Sequence, residues 1–420
     1  AVALATAFRA LLLAKYLTGV LGGACTPVDG CPKLSDGLYC PVNDVTEHAD
    51  INKDVKLIKD LLKNNDYAGA KAVYTDGNYS SKGAGNMRTL QDLAKKDMTV
   101  DGKYTNVFFS GALDLYGSID GIWHDYIWAC LEDSGFCAGK SHDFKSYVIN
   151  KGLIGVVTAY VTYELGAAVW KAGEGQLEDG QAAYAWDEGA AFHIGNIAPL
   201  VGDGYTGAAP GNLYSPYEFN WKRDVDFPDG TQTQEASVPI LNYGLINLRG
   251  TYNAASVASA QLAMYKIYSI AAIRSALKYA NKAHNDGTFQ EKYLAEGWAY
   301  WRSASGYMST VNKTAVQEVD ALLDLNLTDV PSGTDCKIKT LVESMYSDLG
   351  ITCAMVGTWK DAAAGSCLAS ACDDTGNSAT LINGSTAYVD MCKAETVEAD
   401  GSQTWVPSVL ALILSAVLQV

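Results

Sequence analysis

The 420-residue chain has ten cysteines but no Cys-x-x-Cys pair among them, which removes the usual ligand spacing of a zinc cluster. It has no long run of Lys or Arg, and 31 basic residues face 47 acidic ones, a net charge of −16. Binding to a phosphate backbone needs a basic surface that releases counterions, so nucleic acid is not an expected partner. No Gly-x-Ser-x-Gly, His-Glu-x-x-His, P-loop or dinucleotide fingerprint occurs, and the chain is not expected to be an enzyme. The Glu-x-x-His spacing of ferritin-type bundles is missing too. Nothing sustains the two-residue alternation of a half-buried strand. Only 19% of residues are charged against 48% hydrophobic, so the chain is not disordered as a whole.

What is present is helical. Val55, Leu57, Ile58, Leu61 and Leu62 recur at helix spacing, and the spacing predicts a helical pair over Ile51–Tyr74. Helices are predicted over Met87–Lys95, Val107–Leu115, Ile122–Leu131, Phe144–Ala172 and Asp179–Ile194, the last closed by Gly195. The Gly- and Pro-rich stretch Gly202–Ser237 reads as a long loop or connection. Helices resume over Ala254–His284, Thr288–Met308, Thr314–Leu325 and Lys337–Leu349. The predicted fold is all-α, a helical bundle with an internal hairpin repeat and a disulfide-rich C-terminal appendage. The divisions are an N-terminal helix and Cys-containing segment (1–50), the bundle (51–349, repeats near 145–195 and 254–308), the Cys-rich appendage (350–404) and an apolar tail (405–420).

The even number of cysteines suits a disulfide framework, and the close pairs Cys130/Cys137 and Cys367/Cys372 are the simplest short-loop pairings. Four Asn-x-Ser/Thr sequons accompany them, at Asn78, Asn312, Asn326 and Asn383. Together they predict a secreted glycoprotein of the periplasm or cell surface. Ala1–Ala24 is apolar but interrupted by Arg9 and Lys15, a pattern better suited to an amphipathic helix than to a signal-peptide core. Trp405–Val420 is uncharged and strongly apolar. Sixteen helical residues reach roughly 24 Å, short of a bilayer core of roughly 30 Å. The tail therefore reads either as a lipid-anchor signal or as a surface for subunit contacts.

The repeat carries the chemistry. Tyr160-Val-Thr-Tyr163 precedes Trp186-Asp-Glu188-Gly-Ala-Ala-Phe192, and Tyr265-Lys-Ile-Tyr268 precedes Leu294-Ala-Glu296-Gly-Trp-Ala-Tyr300 at an offset of about 105 residues. Each unit sets a glutamate before a glycine and an alanine, small residues that let helices close up around the carboxylate. A carboxylate inside a bundle needs a partner, and a metal ion held between helices is one solution. Glu188 and Glu296 are the expected ligands of one site, with Glu164 and His193 as neighbours. Oxygen-rich donors suit iron, with manganese or calcium as alternatives. A buried arginine would serve as well, and Arg249, Arg274 and Arg302 are available. The Tyr-x-x-Tyr pairs, and His124 between Trp123 and Asp125, read first as core.

These Glu-Gly elements, with the stretch Val55–Tyr74, resemble the green-algal iron-assimilating, low-iron-inducible periplasmic proteins, a family that includes high-CO2-induced extracellular proteins. The resemblance spans roughly Asp50 to Met308. It implies a secreted protein that binds iron at the cell surface and raises its uptake, and by motif position it carries over Glu188 and Glu296. A ferroxidase would need a redox metal pair with an open position, for which no pattern is seen. The alternative function is a structural glycoprotein of the cell surface that uses its apolar ends to contact neighbouring subunits.

Overall fold

The computed structural model describes residues 39–100, 102–196, 214–249, 251–285, 289–370, 372 and 379–381. The expectations for Ala1–Ala24, Asn383 and Trp405–Val420 lie outside the described residues. In chain order the helices are α1 (Thr46–Ala49), α2 (Ile51–Lys63), α3 (Tyr67–Asp76), α4 (Leu90–Ala94), α5 (Val107–Tyr116), α6 (Ile119–Ile122), α7 (His124–Leu131) and α8 (His142–Gly173). They continue with α9 (Tyr184–Ile194), α10 (Pro216–Asp226), α11 (Thr233–Arg249), α12 (Ala254–Asn285), α13 (Glu291–Leu322), α14 (Thr334–Glu343), α15 (Tyr346–Leu349) and α16 (Cys353–Val356). Two small antiparallel hairpins, Ser81–Gly83 with Asn86–Met87 and Thr99–Val100 with Tyr104–Thr105, are the strands among the described residues. The fold is all-α.

Three 32-residue helices, α8, α12 and α13, form the centre. α13 packs along α12 and α8, α9 lies against α8, and α11 against α12. α8 is long and apolar enough to cross a membrane, yet 78% of its most apolar window is buried in the protein core. That is why its apolar residues run all round the helix: Val148, Ile149, Leu153, Ile154, Val157, Val161 and Leu165 are fully inaccessible.

Glycine sets the tightest crossing. A Cβ on Gly111 of α5 would lie 1.9 Å from the carbonyl oxygen of Gly306 on α13, and one on Gly306 would lie 2.3 Å from that of Phe108. α9 ends where the sequence placed its stop, at Gly195 with φ 76°. α13 joins two predicted helices across a kink at Asn312 (φ −146°, ψ 87°), whose Oδ1 accepts the Ala315 amide at 3.1 Å and so starts the second segment.

Two expectations are corrected. The stretch Gly202–Ser237 is not a loop throughout: Pro216–Asp226 is helical, and a second helix starts at Thr233. Ser215 and Glu218 form a reciprocal capping box and Pro216 occupies the first turn, where its missing N–H costs nothing. Proline here starts a helix. The second correction concerns the cysteines. Cys130 is joined to Cys137, but Cys367 is joined to Cys336 and Cys372 to Cys353, so Cys367 and Cys372 do not pair with each other. Cys367 opens a one-turn helix that faces α14, which carries Cys336, and this contact decides the pairing over closeness in sequence. The Cys-rich segment lies against the bundle: Arg274 of α12 donates to the carbonyls of Met355 and Val356 at 2.9 and 2.8 Å.

Candidate metal-binding cluster

Gly189 brings two carboxylates together. A Cβ at this position would lie 2.9 Å from Leu165 Cδ2 and 3.4 Å from Glu164 Cβ, so the glycine lets α9 sit against α8. Glu188 beside it then faces Glu164 on α8, near enough for its charge to bear on the Glu164 carboxyl. Burial, together with the neighbouring Glu188 charge, holds the Glu164 carboxyl well above the usual carboxylate range. Two acids this close in a low-dielectric site oppose each other's ionisation, which favours the protonated form of Glu164.

The rest of the shell comes from three elements. His48 on α1 places Nε2 2.7 Å from Glu188 Oε1. Its Nδ1 is buried without a hydrogen-bond partner. The imidazole is held edge-on by Tyr184 and Phe192, with ring centroids 5.9 and 5.7 Å away. Tyr184 sits one turn before Glu188 on α9, and burial with the Glu188 charge raises its phenol above the ordinary tyrosine value. Tyr160, one turn before Glu164 on α8, packs its ring 4.9 Å from Phe192. Burial and the Glu164 and Tyr163 charges raise its phenol further above the ordinary tyrosine value.

Cations stand nearby without closing on the acids. Arg88 lies over Phe192 at 5.7 Å but donates to Ser80 Oγ and the Ser81 carbonyl. Lys96 lies over the Tyr163 ring at 5.6 Å. Among the described residues no lysine or arginine pairs with Glu164 or Glu188 within 4.0 Å; the ionic contact of Glu188 is His48. Glu164 is 7% exposed and the Glu188 side chain 17%, so the cluster is covered but has an edge toward solvent.

Asp187 fastens the chain that delivers His48. Its carboxylate accepts the Tyr39 hydroxyl at 2.6 Å and the amides of Val42 and Asn43 at 2.7 and 3.3 Å. Burial pushes the Asp187 carboxyl up to about 6 despite these bonds.

The other two residues that the sequence assigned to this site are engaged elsewhere. Glu296 on α13 pairs with Lys151 of α8 at 3.4 Å, and Lys151 lies over the rings of Tyr147 and Tyr300 at 5.4 and 5.7 Å. Gly297 still allows close packing, its Cβ position falling 3.1 Å from Tyr279 Cβ. His193 is fully buried, and its Nδ1 hydrogen-bonds to the Tyr268 hydroxyl at 2.8 Å. The arginines considered as partners are also committed: Arg274 binds Asp224 at 2.7 Å, and Arg302 donates to the carbonyls of Ile122 and Gly121. His124 is paired with Tyr74 at 3.0 Å.

The sequence reading missed His48 and Tyr184. Tyr184 had a legible signal, one helical turn before Glu188. His48 had none, because a side chain 140 residues upstream reaches Glu188 only through the path of the chain past Asp187. Among the described residues, the place where three His, Cys, Asp or Glu ligand atoms fall within 4.8 Å of one another is Asp335, Cys336 and Cys367. There the two sulfurs are spent on a disulfide, so no thiolate is left to bind a metal. His48, Glu188 and Glu164 form a chain of contacts centred on Glu188. Carboxylates and an imidazole bind a metal in their deprotonated forms, so a cation taken up by such a chain would displace protons.

A search of curated proteins gives no match, and neither does a search of solved structures. A family model described as low iron-inducible periplasmic protein matches residues 16–381. The match takes in both hairpins, the His48 segment and the disulfide-stapled stretch beyond them. By that extent, the chain belongs to the low iron-inducible periplasmic protein family.

Proposed function

We propose that the protein binds iron outside the cell at the Glu164–Glu188–His48 cluster and thereby assists its assimilation. The observation that carries this reading is the approach of a buried glutamate, Glu164, to the half-buried Glu188, with no lysine or arginine among the described residues paired to either. The donors are hard carboxylate oxygens, an imidazole nitrogen and the neighbouring Tyr184 hydroxyl, a set that suits ferric iron better than a soft metal. The family description, which ties these proteins to low iron and to the periplasm, supports the same reading. Iron is the cargo here and no redox step is required. Glu296 and His193 lie outside this site, the first balanced by Lys151 and the second by Tyr268.

The test is equilibrium dialysis of the full chain against ferric citrate, with manganese and calcium as competitors. The wild type is expected to retain one iron per chain. Glu188→Gln and Glu164→Gln should weaken retention by roughly 10- to 100-fold, the scale seen when groups around a metal are removed. Glu296→Gln should keep its iron. Stoichiometric iron in both cluster variants would remove the assignment.

A further inference from the structure

A cleft of about 750 Å3 opens between α5, α7 and α13, away from the residues of the iron cluster. That volume suits a ligand of disaccharide size. Its walls are aromatic. The Tyr126 ring lies 5.3 Å from Phe136 and 4.7 Å from Trp298, and Tyr116 closes the far side. Its polar rim is made of acceptors and amides, with Asp125, Asp324 and Asn326 exposed there.

The chemistry of the walls narrows the occupant. Arg302 is the basic residue of the lining, and its guanidinium already lies over Tyr116, Tyr126 and Trp298, 3.3, 4.7 and 5.1 Å from the ring centroids. It also donates to the Ile122 and Gly121 carbonyls, so it offers little to an anion. The lining thus sets aromatic rings beside carboxylates and an amide. That combination suits a pyranose, whose C–H face lies on an aromatic ring while its hydroxyls donate to carboxylate oxygens.

Asn326 gives such a sugar a tether. It begins the sequon Asn326-Leu327-Thr328, and both Asn326 and Thr328 are exposed. Its Nδ2 donates to Asp324 Oδ1 at 2.9 Å. An amide nitrogen has two hydrogens, so one can hold this turn while the other position carries a sugar. A tethered ligand experiences a roughly millimolar local concentration, enough for weak stacking to seat it.

We propose that this cleft seats the first sugars of an N-linked glycan on Asn326. Attachment joins Asn326 Nδ2 to the anomeric carbon of a lipid-diphosphate-linked oligosaccharide. The nitrogen gives up one proton, the anomeric carbon–oxygen bond breaks, and the lipid diphosphate leaves with its electron pair. The seated sugar then fastens the loop after α13 to α7.

The test is a double-mutant cycle on the full chain between Asn326→Gln and Tyr126→Leu, made in a glycosylating secretory host and in bacteria. Asp125→Ala, at an exposed position, serves as a second cleft variant should Tyr126→Leu fold poorly. Peptide mass spectrometry is expected to find a glycan on Asn326. Asn326→Gln should lower the Tm by about 2 °C or more in the glycosylated protein. That loss should be absent in the bacterial protein and reduced in either cleft variant. Equal Tm losses with and without the cleft changes would overturn the proposal, as would a bare Asn326 in a chain that does not bind free N,N′-diacetylchitobiose. A bare Asn326 in a chain that does bind it, with binding lost in Tyr126→Leu, would overturn the tether and assign the cleft to a saccharide from outside.

Discussion

The Lys151 ammonium sits 3.4 Å from the Glu296 carboxylate, with side-chain exposures of 7% and 9%. The glutamate of the second hairpin is therefore balanced by a cation from α8 of the first, whereas Glu188 of the first hairpin meets a histidine and lies beside a second acid. The same Glu-Gly element meets a lysine in one half of the repeat and a histidine in the other.

Lys151→Met is expected to destabilise the protein by about 3–5 kcal/mol, because it strands a buried charge. Adding Glu296→Gln should recover much of that loss. Urea unfolding of the two singles and the double measures it. A cost below about 1 kcal/mol for Lys151→Met would mean that water, not lysine, solvates Glu296.

Glu164→Gln should behave in the opposite way in the iron-free protein. Glutamine is close in shape to the protonated acid that burial and Glu188 favour, so stability at neutral pH should hold or rise. Wild type and variant, stripped with chelator, are compared by thermal unfolding. A large loss would show that an ionised Glu164 is structural.

Burial pushes the His193 imidazole down to about 3, so it folds neutral. The unfolded chain takes up the proton below about pH 6.5, and stability present above that pH is lost as pH falls toward 3. Against His193→Gln, which does not titrate, the wild type should lose roughly 1.4 kcal/mol of relative stability per pH unit across that window. Parallel pH profiles would rule the effect out.

Non-reducing peptide mapping should recover Cys336–Cys367 and Cys353–Cys372. Removing the first bond by Cys336→Ser and Cys367→Ser together opens a link between residues 31 apart and should cost roughly 3–4 kcal/mol. Recovery of a Cys367–Cys372 peptide would contradict the fold of this segment.

Gly306→Ala should cost about 1–3 kcal/mol or more, since the methyl meets the Phe108 carbonyl oxygen at 2.3 Å and backbone must move. An Ala change at Gly173, where nothing lies within 4 Å, is the control.

Much of the architecture was written in local pattern. The Ala- and Val-rich run of α8, the apolar spacing of α2 and the stop at Gly195 each act within a turn or two, so sequence reports them directly. The start of α10 was missed because Pro216 and its Ser215–Glu218 box were weighed as loop composition instead of as a helix entry. Of the proposed cluster, the sequence singled out Glu188 by its glycine and Glu164 by its place next to Tyr163 in the repeat. Glu296 looked equivalent because its own element is the same; what differs is Lys151, contributed by another helix. Disulfide partners and His48 were invisible for a related reason, since each depends on where distant segments come to rest.

Adjacent side chains on α9 divide two tasks: Asp187 grips the segment before α1 at Tyr39, Val42 and Asn43, and Glu188 receives the imidazole that follows it. Occupancy at Glu188 is thereby wired to the anchorage of residues 39–43. A protease nicking between Asn43 and Thr46 would cut the leash on His48 while sparing the hairpins, which makes susceptibility there a readout of whether the clasp is shut.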